Sequence, residues 1–403
     1  MSICIHKKLI GSNLHLIKDE EGFRWVSDIP DTSWLCGFSE SHPKSIDTLL
    51  QATGRKIRIT PSESHTTMWK LLRENGSDGI PWHLSLGRDR FQTHLEQLLY
   101  QIQNLLDSYN DSYYTNEFVT IRQFLQGLDR CSVDVKSVSN VLSDSTKRDG
   151  SLSSFLPERD GFLSRPTYSQ VASCSGRLTV TNGPAILTLR KDRRQFLRST
   201  RKHGSIVQVD FVSLEPRVAL SVSGKDSPSD IYEHIRKNVL DSRVSRKIAK
   251  IATIGSLYGM SSRKLSEIVG ISKASEARDV LKKIRRYFKI EHIENELNRS
   301  LSIDGFIKSH YGRAMNVDDT SRHVLVNRFI QSTATDAALL GFKALVEKIR
   351  ESGINANPVF VIHDALVLDV EKCEVDLLKE FIKDPISLPG LIGGFPISLE
   401  TIS

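Results

Sequence analysis

Apolar and polar positions in the first part of the chain predict strands followed by helices. Short apolar-rich runs between turn residues indicate strands in HLIKD (15–19), FRWVSDI (23–29) and KIRITPS (56–62). From residue 91 to about residue 137, apolar residues recur at helical spacing in FQTHLEQLLYQIQNLLDSY and EFVTIRQFLQGL, which predicts two helices. Ser, Asp and Gly dominate residues 138–160, so this segment is predicted to be a loop or hinge.

The later part of the chain alternates between strand-like and helix-like patterns of apolar residues. SIVQVDFVSLEPRVALSV (205–222) combines a β-rich run with a following helix. Residues 229–300 are predominantly helical in pattern, and residues 323–351 predict another long helix. VFVIHDALVLDV (359–370) has apolar flanks around a polar dipeptide, which is typical of two short strands folded back on each other.

Composition indicates a globular chain. With 403 residues, 39% hydrophobic and 26% charged, it is long enough for two or three packed subdomains. No apolar run approaches the ~18 residues of a membrane span, and MSICIHKKLIGSN lacks the pattern of a secretory signal. We therefore expect a cytoplasmic location and no membrane partner. The five cysteines are odd in number and scattered without a CxxC, which argues against a disulfide framework and structural zinc.

Positive charge is concentrated in one region. Residues 190–310 carry 26 Lys and Arg against 14 Asp and Glu, whereas the net charge of the whole chain is only +7. Such a segment suits a polyanion, either nucleic acid or a nucleoside triphosphate. The alternative is a basic helix face that is simply solvated.

Two aspartates are candidates for a shared metal site. Asp364 lies at the bend of the apolar hairpin, and Asp210 ends the apolar β run before a predicted helix. Carboxylates from separate elements suit Mg²⁺, which uses one or two of them together with substrate phosphates. The alternatives are structural: Asp364 can form the turn, and Asp210 can cap the following helix.

A third candidate is the segment SRKIAKIATIGSLYGM (245–260). Arg246, Lys250, Ile254 and Tyr258 recur every fourth position, so they share one helical stripe. Two cations followed by an apolar residue and an aromatic residue can grip a triphosphate at one end and offer a flat surface to a base at the other.

Six ordered motifs in residues 160–380 resemble family A (polymerase I-like) DNA polymerases. DFVSLEPR (210–217) is similar to motif A, D-Y-S-Q-I-E-L-R; RKIAKIATIGSLYG (246–259) to motif B, R-x-x-x-K-x-x-x-F-G-x-x-Y-G; and His363-Asp364 to motif C, His-Asp-Glu between two strands. Weaker matches are SGRL (175–178), HYGR (310–313) and NRFIQSTATD (327–336). Each motif alone is weak, whereas their common order is specific.

The resemblance implies a catalytic centre. Asp210 and Asp364, with Phe211 as a third metal-site position, would hold two Mg²⁺ ions, with Mn²⁺ as a substitute, that activate the primer 3′ hydroxyl and stabilise the leaving pyrophosphate. Arg246 and Lys250 would contact the triphosphate, and Lys250 would also act as general acid.

The resemblance also implies the substrate contacts. Glu215 matches a steric gate against the ribose 2′ hydroxyl. The further nucleotide-binding positions are Tyr232, Ile254 and Tyr258. The positions implied to contact primer–template DNA near the insertion site are Arg177, Gly259, Asn327, Gln331 and His363. Because these would be phosphate, sugar and groove contacts, they would position any sequence alike.

The chain departs from the family pattern at four positions. Ala365 replaces the Glu of motif C, which removes a carboxylate and is expected to weaken metal affinity or rate. Ile254 replaces the motif B aromatic and softens stacking on the sugar. Tyr232 stands where the family often has His. Pro216 is unusual in motif A, but it is compatible with the first turn of a helix.

The implied architecture is an α+β right hand with an antiparallel-sheet palm, helical fingers and a helical thumb. The implied divisions are a module of unknown role (1–90), thumb (91–165), first palm segment (166–221), fingers (222–312) and second palm segment (313–403). Asp19 and Glu21 form a D-x-E triplet, but we interpret it as a polar turn and expect no proofreading exonuclease.

The sequence therefore favours a compact DNA polymerase that uses primer–template DNA and dNTPs in replication or repair. A partner protein for replication could bind residues 1–90, and the setting would be a nucleoid or the replication of a phage or mobile element. One alternative is a single-subunit RNA polymerase, which Glu215 argues against. The other is a degenerate polymerase fold that only binds primer–template or a partner, which Ala365 and Ile254 would allow.

Overall fold

A computed structural model describes residues 1–37, 42, 44–53, 57, 59, 81–82, 86–109, 113–144, 150–173, 175–242, 244–270, 273–315, 317 and 321–403. The chain divides into two compact units, Met1–Gln123 and Phe124–Ser403. The division falls within the predicted thumb (91–165). The five-segment organisation inferred from the sequence remains a prediction.

The first unit contains a four-stranded sheet with its own apolar core. Its strands are β1 (Ile3–Ile5), β2 (His15–Asp19), β3 (Gly22–Val26) and β4 (Trp34–Cys36), in the order β3-β2-β1-β4. Its helices are α1 (Lys7–Ile10), α2 (Ile46–Thr53), α3 (Arg88–Tyr109) and α4 (Tyr113–Gln126), whose end crosses into the second unit. The strands predicted in 15–19 and 23–29 and the two helices after residue 91 are confirmed, while KIRITPS (56–62) lies almost entirely outside the described residues.

The second unit is built on a four-stranded antiparallel sheet. Its strands are β9 (Gly204–Phe211), β12 (Ala356–Ile362), β13 (Ala365–Glu371) and β16 (Ile397–Thr401), in the order β12-β13-β9-β16. Short strand pairs flank this sheet: β5 (Ser132–Val133) with β8 (Leu197–Arg198), β6 (Thr167–Ser169) with β7 (Thr179–Asn182), β10 (Ile307–Lys308) with β11 (Ala314–Met315), and β14 (Ile386–Ser387) with β15 (Gly394–Phe395). The predicted hairpin at 359–370 is confirmed as β12 and β13.

The second unit has nine α-helices among its described residues, and all but the first and the last of them lie between β9 and β12. They are α5 (Val135–Ser143), α6 (Leu214–Val222), α7 (Ile231–His234), α8 (Arg246–Leu257), α9 (Ser262–Val269), α10 (Ala274–Tyr287), α11 (Ile290–Asp304), α12 (Arg322–Glu351) and α13 (Val375–Phe381). The helical predictions for 229–300 and 323–351 are confirmed. The loop predicted over 138–160 is wrong in its first part, because α5 continues to Ser143 and a 3₁₀ helix spans Gly150–Phe155.

Helix α12 packs closely against β9, the strand that carries Asp210 next to its last residue. The rings of Phe211 on β9 and Phe342 on α12 lie 5.2 Å apart between centroids. Gly341 permits this approach, because a Cβ at that position would lie 2.9 Å from Phe211 Cζ. The apolar residues of α12 therefore pack against one face of β9 and hold the end of this strand in position.

The predicted α+β class is confirmed, since an antiparallel sheet and a predominantly helical segment make up the second unit. A separate apolar cluster, including Ala249, Leu265, Ile284 and Leu325, packs the helices α7 to α12 together. Among the described helices, none is both long and apolar enough to cross a membrane.

Candidate active site

Antiparallel pairing brings the two aspartates to neighbouring ends of β9 and the β12–β13 hairpin. Asp210 is paired in register with Ala365, the residue after Asp364. The backbone N–H of Phe211 donates to the carbonyl oxygen of Asp364 at 3.2 Å. The two carboxylates therefore lie beside each other, although they are far apart in the sequence.

The electrostatic environment of Asp210 reflects this neighbour. Partial burial, followed by the negative charge of Asp364, raises the pKa of Asp210 to about 6. Gln208 Nε2 lies 3.5 Å from Asp210 Oδ2, and Arg194 adds a positive charge nearby. A pair of adjacent carboxylates with mutual repulsion is the kind of donor set that a divalent cation relieves.

The turn between β12 and β13 presents its polar residues to solvent. His363 adopts a left-handed backbone conformation with φ of 54°, which His tolerates better than β-branched residues do. His363 and Asp364 are both exposed, whereas the strand residues on either side are buried. The turn therefore carries Asp364 out of the apolar hairpin and towards the end of β9.

Helix α6 begins directly after β9 and places Glu215 in its first turn. Ser213 precedes the helix with φ of 57°, so the chain turns sharply after Asp210. Pro216 lies in the same first turn, where its missing N–H costs no helical hydrogen bond. The expectation that Pro216 is compatible with a helix start is confirmed.

Glu215, Tyr258 and Arg177 form a connected polar group. The hydroxyl of Tyr258 lies 2.7 Å from Oε2 and 2.9 Å from Oε1 of Glu215. Arg177 Nη2 donates to Glu215 Oε1 and to the Tyr258 hydroxyl, both at 3.1 Å. Burial and the nearby Glu215 carboxylate raise the pKa of Tyr258 to about 12, so its hydroxyl remains a donor at neutral pH.

Helix α8 presents the predicted stripe. Arg246, Lys250 and Ile254 are exposed on successive turns, and Tyr258 caps the helix C-terminus. The N-cap Ser245 accepts a hydrogen bond from Ile248 N at 3.3 Å, which fixes where the helix starts. Arg246, Lys250 and Ile254 therefore face away from the helical core, whereas Tyr258 is partly buried and packs against it.

Tyr232 on α7 lies beneath both cations of the stripe. The Arg246 guanidinium and the Lys250 ammonium each lie 5.7 Å from the centre of its ring. Arg246 Nε also forms an ion pair with Asp230 at 2.9 Å. Cation–π contacts of this kind orient the two side chains without neutralising their charge.

One cleft of about 490 Å³ connects these elements. Of the predicted site residues, its lining includes Arg177, Glu215, Tyr232, Lys250, Ile254, Tyr258, Gln331, His363 and Asp364. Ser213, Leu214, Thr335 and Ala338 also line it. The first three lie inside motif matches without having been singled out, and Ala338 lies outside every motif match.

The remaining predicted residues lie around the cleft rather than in its lining. Asp210 adjoins it through Asp364, Arg246 lies over Tyr232, and Asn327 precedes Gln331 by one turn of α12. A Cβ at Gly259 would lie 2.4 Å from His323 Cβ, so the start of α12 approaches the end of α8 closely there. The Phe211 side chain is buried against α12, which leaves only its backbone available to a metal site.

Three residues around the site were not identified from the sequence. Gln208 and Arg194 both oppose the rise in the pKa of Asp210, and Arg194 also hydrogen-bonds Gln208. Asp230 pairs with Arg246. The alternation of β9 could have identified Gln208, because it lies on the same strand face as Asp210. Arg194 and Asp230 reach the site only through tertiary contacts.

A model of the family described as DNA polymerase family A matches residues 97–389, which is well over half of the chain. This chain belongs to DNA polymerase family A. The suspected family is therefore confirmed.

Similar proteins include other members of this family. A DNA polymerase I of Aquifex aeolicus is 22% identical over 260 residues, covering 59% of this chain and 45% of that protein. A DNA polymerase of Mycobacterium phage L5 is 26% identical over 215 residues, covering 50% of this chain and 34% of that protein. The chain thus matches less than half the length of these two relatives.

A solved structure titled as the POL domain of Pol1 from M. smegmatis, in complex with DNA primer–template and dNTP, is also similar. It is 16% identical with a TM-score of 0.47, and the match covers 88% of this chain and 62% of that one.

Proposed function

We propose that this chain is a template-directed DNA polymerase, adding deoxynucleotides to the 3′ end of a primer and releasing pyrophosphate. The observation that carries the proposal is the adjacency of Asp210 and Asp364 at a cleft that also receives Lys250. Membership of DNA polymerase family A supports the same reaction class. We place the activity in DNA replication or repair.

Two divalent ions, Mg²⁺ or Mn²⁺, fit the donor set of Asp210 and Asp364. Hard cations take oxygen ligands and complete their shell with substrate phosphates, so two carboxylates suffice. No group of three or more Asp, Glu, His or Cys side chains with metal-binding geometry occurs among the described residues. When bound, such ions would activate the primer hydroxyl and stabilise charge on the leaving pyrophosphate.

The residues of the cleft supply binding, orientation and proton transfer. Lys250 and Arg246 would bind the triphosphate through their charges, and Lys250 would protonate the leaving pyrophosphate oxygen. Ile254 offers an apolar surface to the nucleotide, with less stacking than an aromatic side chain. Tyr258 and Gly259 would lie beside the templating base.

Glu215 would discriminate between sugars. Its carboxylate is held by the Tyr258 hydroxyl and Arg177, so it cannot easily move away from an added 2′ hydroxyl. Arg177, Asn327, Gln331 and His363 would contact the backbone, sugars and minor groove of primer–template DNA. A ribonucleotide-incorporating polymerase would gain nothing from such a gate, which disfavours the RNA polymerase alternative.

Primer extension tests the proposal. Wild-type protein is expected to extend a primer on a DNA template with Mg²⁺ and dNTPs, whereas NTPs are expected to give little product. Asp364→Ala is expected to lose extension while retaining DNA binding. Asp384→Ala, which removes an exposed acid outside the cleft, is the matched control and is expected to remain active.

Each alternative gives a different result. Extension by NTPs would identify an RNA polymerase, and DNA binding without any extension would identify a degenerate polymerase fold. Retained turnover by Asp364→Ala would contradict the metal assignment.

A further inference from the structure

A second cavity lies among helices α10, α11 and α12, outside the cleft described above. It has a volume of about 610 Å³ and is lined by six cations and two carboxylates. The six cations are Arg278, Lys282, Arg285, Arg286, Lys289 and Arg322. This excess of positive charge sets the cavity apart from an ordinary gap between packed helices.

Most of this charge is not compensated within the protein. Arg285 is paired with the buried carboxylate of Glu294. Across the described part of the chain, Arg278, Lys282 and Arg286 take part in no ion pair. By contrast, Lys283 on another face of the same helix is paired with Asp241 at 3.0 Å and faces Asp279 at 3.8 Å.

The spacing of the cations along α10 places them on one face. Arg278, Lys282 and Arg286 follow each other at intervals of four residues, which makes them neighbours on the helix surface. Like charges at this spacing repel each other and destabilise the helix. A ligand that brings negative charge to this face would remove that repulsion.

Two long helices also begin at the cavity. Lys289 and Glu291 lie at the start of α11, and Arg322 is the first residue of α12. The N-terminal ends of these helices add partial positive charge and unsatisfied N–H groups. Since α11 has 15 residues and α12 has 30, the positive ends of their helix dipoles add to the charge of the three cations on α10.

Arg322 connects the cavity to the cleft. The next residue, His323, packs against Gly259 at the end of α8, and Tyr258 beside it lines the cleft. A DNA strand that passes Gly259 would therefore come close to the side of the cavity that Arg322 lines.

We propose that this cavity binds closely spaced phosphate groups. Two sources share that chemistry: the backbone of a single-stranded template beyond the insertion site, and a free polyphosphate such as pyrophosphate. The template source rests on the proposed polymerase function, whereas the polyphosphate source does not.

The test compares two triple variants with the same loss of charge. Arg278→Gln/Lys282→Gln/Arg286→Gln removes the row of three cations on α10 and is called the stripe variant. Lys372→Gln/Lys379→Gln/Lys383→Gln removes three exposed cations elsewhere and is the control. Binding is measured by fluorescence anisotropy on a primer–template with a 5′ template overhang and on the blunt duplex, and by calorimetry with pyrophosphate. Arg322→Gln is the second variant if the first triple does not fold.

Weaker binding of the overhang substrate by the stripe variant, with unchanged binding of the blunt duplex, supports the template source. The slope of log affinity against log salt is then expected to become shallower by about 2, at about 0.7 for each lost contact to a single strand. Loss of pyrophosphate binding alone supports the polyphosphate source. If the stripe variant binds every probe as the control triple does, the proposal is overturned.

These measurements need no turnover, so they separate this proposal from the proposed function. Extension by wild-type protein together with unchanged binding by the stripe variant would refute the cavity alone. If the wild-type protein extends no primer, but the stripe variant binds phosphate probes more weakly than the control triple, only the polymerase activity would be refuted.

Discussion

Arg246 and Asp230 form an ion pair with 2.9 Å between Nε and Oδ2. Arg246 is also one of the two cations proposed to bind the triphosphate. Asp230 partly neutralises the positive charge of Arg246 when no nucleotide is bound. Both side chains are substantially exposed, and solvent screening makes such a pair weak. If Arg246 binds the triphosphate as proposed, we expect Asp230 to compete weakly with the incoming nucleotide for it.

Replacing Asp230 with Asn is expected to lower KM for dNTPs by about two- to fivefold, because losing an exposed ion pair changes binding only modestly. Asn keeps the N-cap that Asp230 gives α7, where it accepts from Glu233 N at 3.0 Å. Steady-state extension kinetics measure KM, and kcat is expected to change little. Glu233→Gln is the matched control, because Glu233 pairs with Arg236 and Lys237 instead. An unchanged or higher KM in Asp230→Asn would rule out competition.

Asp210→Asn is expected to raise the thermal stability of the metal-free protein at pH 7.5. Burial and Asp364 raise the pKa of Asp210 from 3.8 to about 6 in the folded state. Between these values the folded protein binds more protons than the unfolded chain, so the free energy of unfolding falls as pH rises through this window. The penalty is fully present above pH 6 and disappears below about pH 4.

Calorimetric melting in EDTA at pH 7.5 and at pH 4 measures this difference. The Tm advantage of Asp210→Asn is expected at pH 7.5 and should shrink at pH 4, while extension is lost at every pH. An equal Tm difference at both pH values would show that the charge of Asp210 is not its source.

Extension by wild-type protein is expected to fall as pH drops below about 6, because protonation of Asp210 competes with Mg²⁺. Raising the Mg²⁺ concentration should move this acidic limb to lower pH. Single-turnover extension at two Mg²⁺ concentrations across pH 5–8 measures the shift. If the fall in extension rate at low pH is the same at both Mg²⁺ concentrations, another group than Asp210 is responsible for it.

Glu215→Ala is expected to reduce the preference for dNTPs over NTPs by about tenfold or more, since it removes the side chain that excludes the 2′ hydroxyl. Tyr258→Phe removes only the hydroxyl that holds Glu215 and should give an intermediate loss. The ratio of kcat/KM for dATP and ATP on one template measures both. Unchanged sugar selectivity in Glu215→Ala would remove the gate role.

Local structure was largely predictable because its signals are local. The hairpin around His363 and Asp364, the helix that carries Arg246 to Tyr258, and the helix whose first turn includes Pro216 follow from apolar periodicity and turn chemistry. Helix α5 was partly missed, because its Ser-rich sequence resembles a loop. Asp134 caps it by accepting from Ser137 N at 3.0 Å, a start signal that composition alone obscures.

The sequence by itself determined the family motifs, the order of strands and helices, and which acids and cations are available. Only the tertiary structure decided which of them meet: the register that pairs Asp210 with Ala365, the ion pair between Arg246 and Asp230, and the cation-lined cavity at the starts of α11 and α12. Periodicity reports which face of an element is buried, whereas register and helix packing depend on the shapes and volumes of side chains that lie far apart in the chain. That is the physical reason why the components of the site could be read from the sequence but their contacts could not.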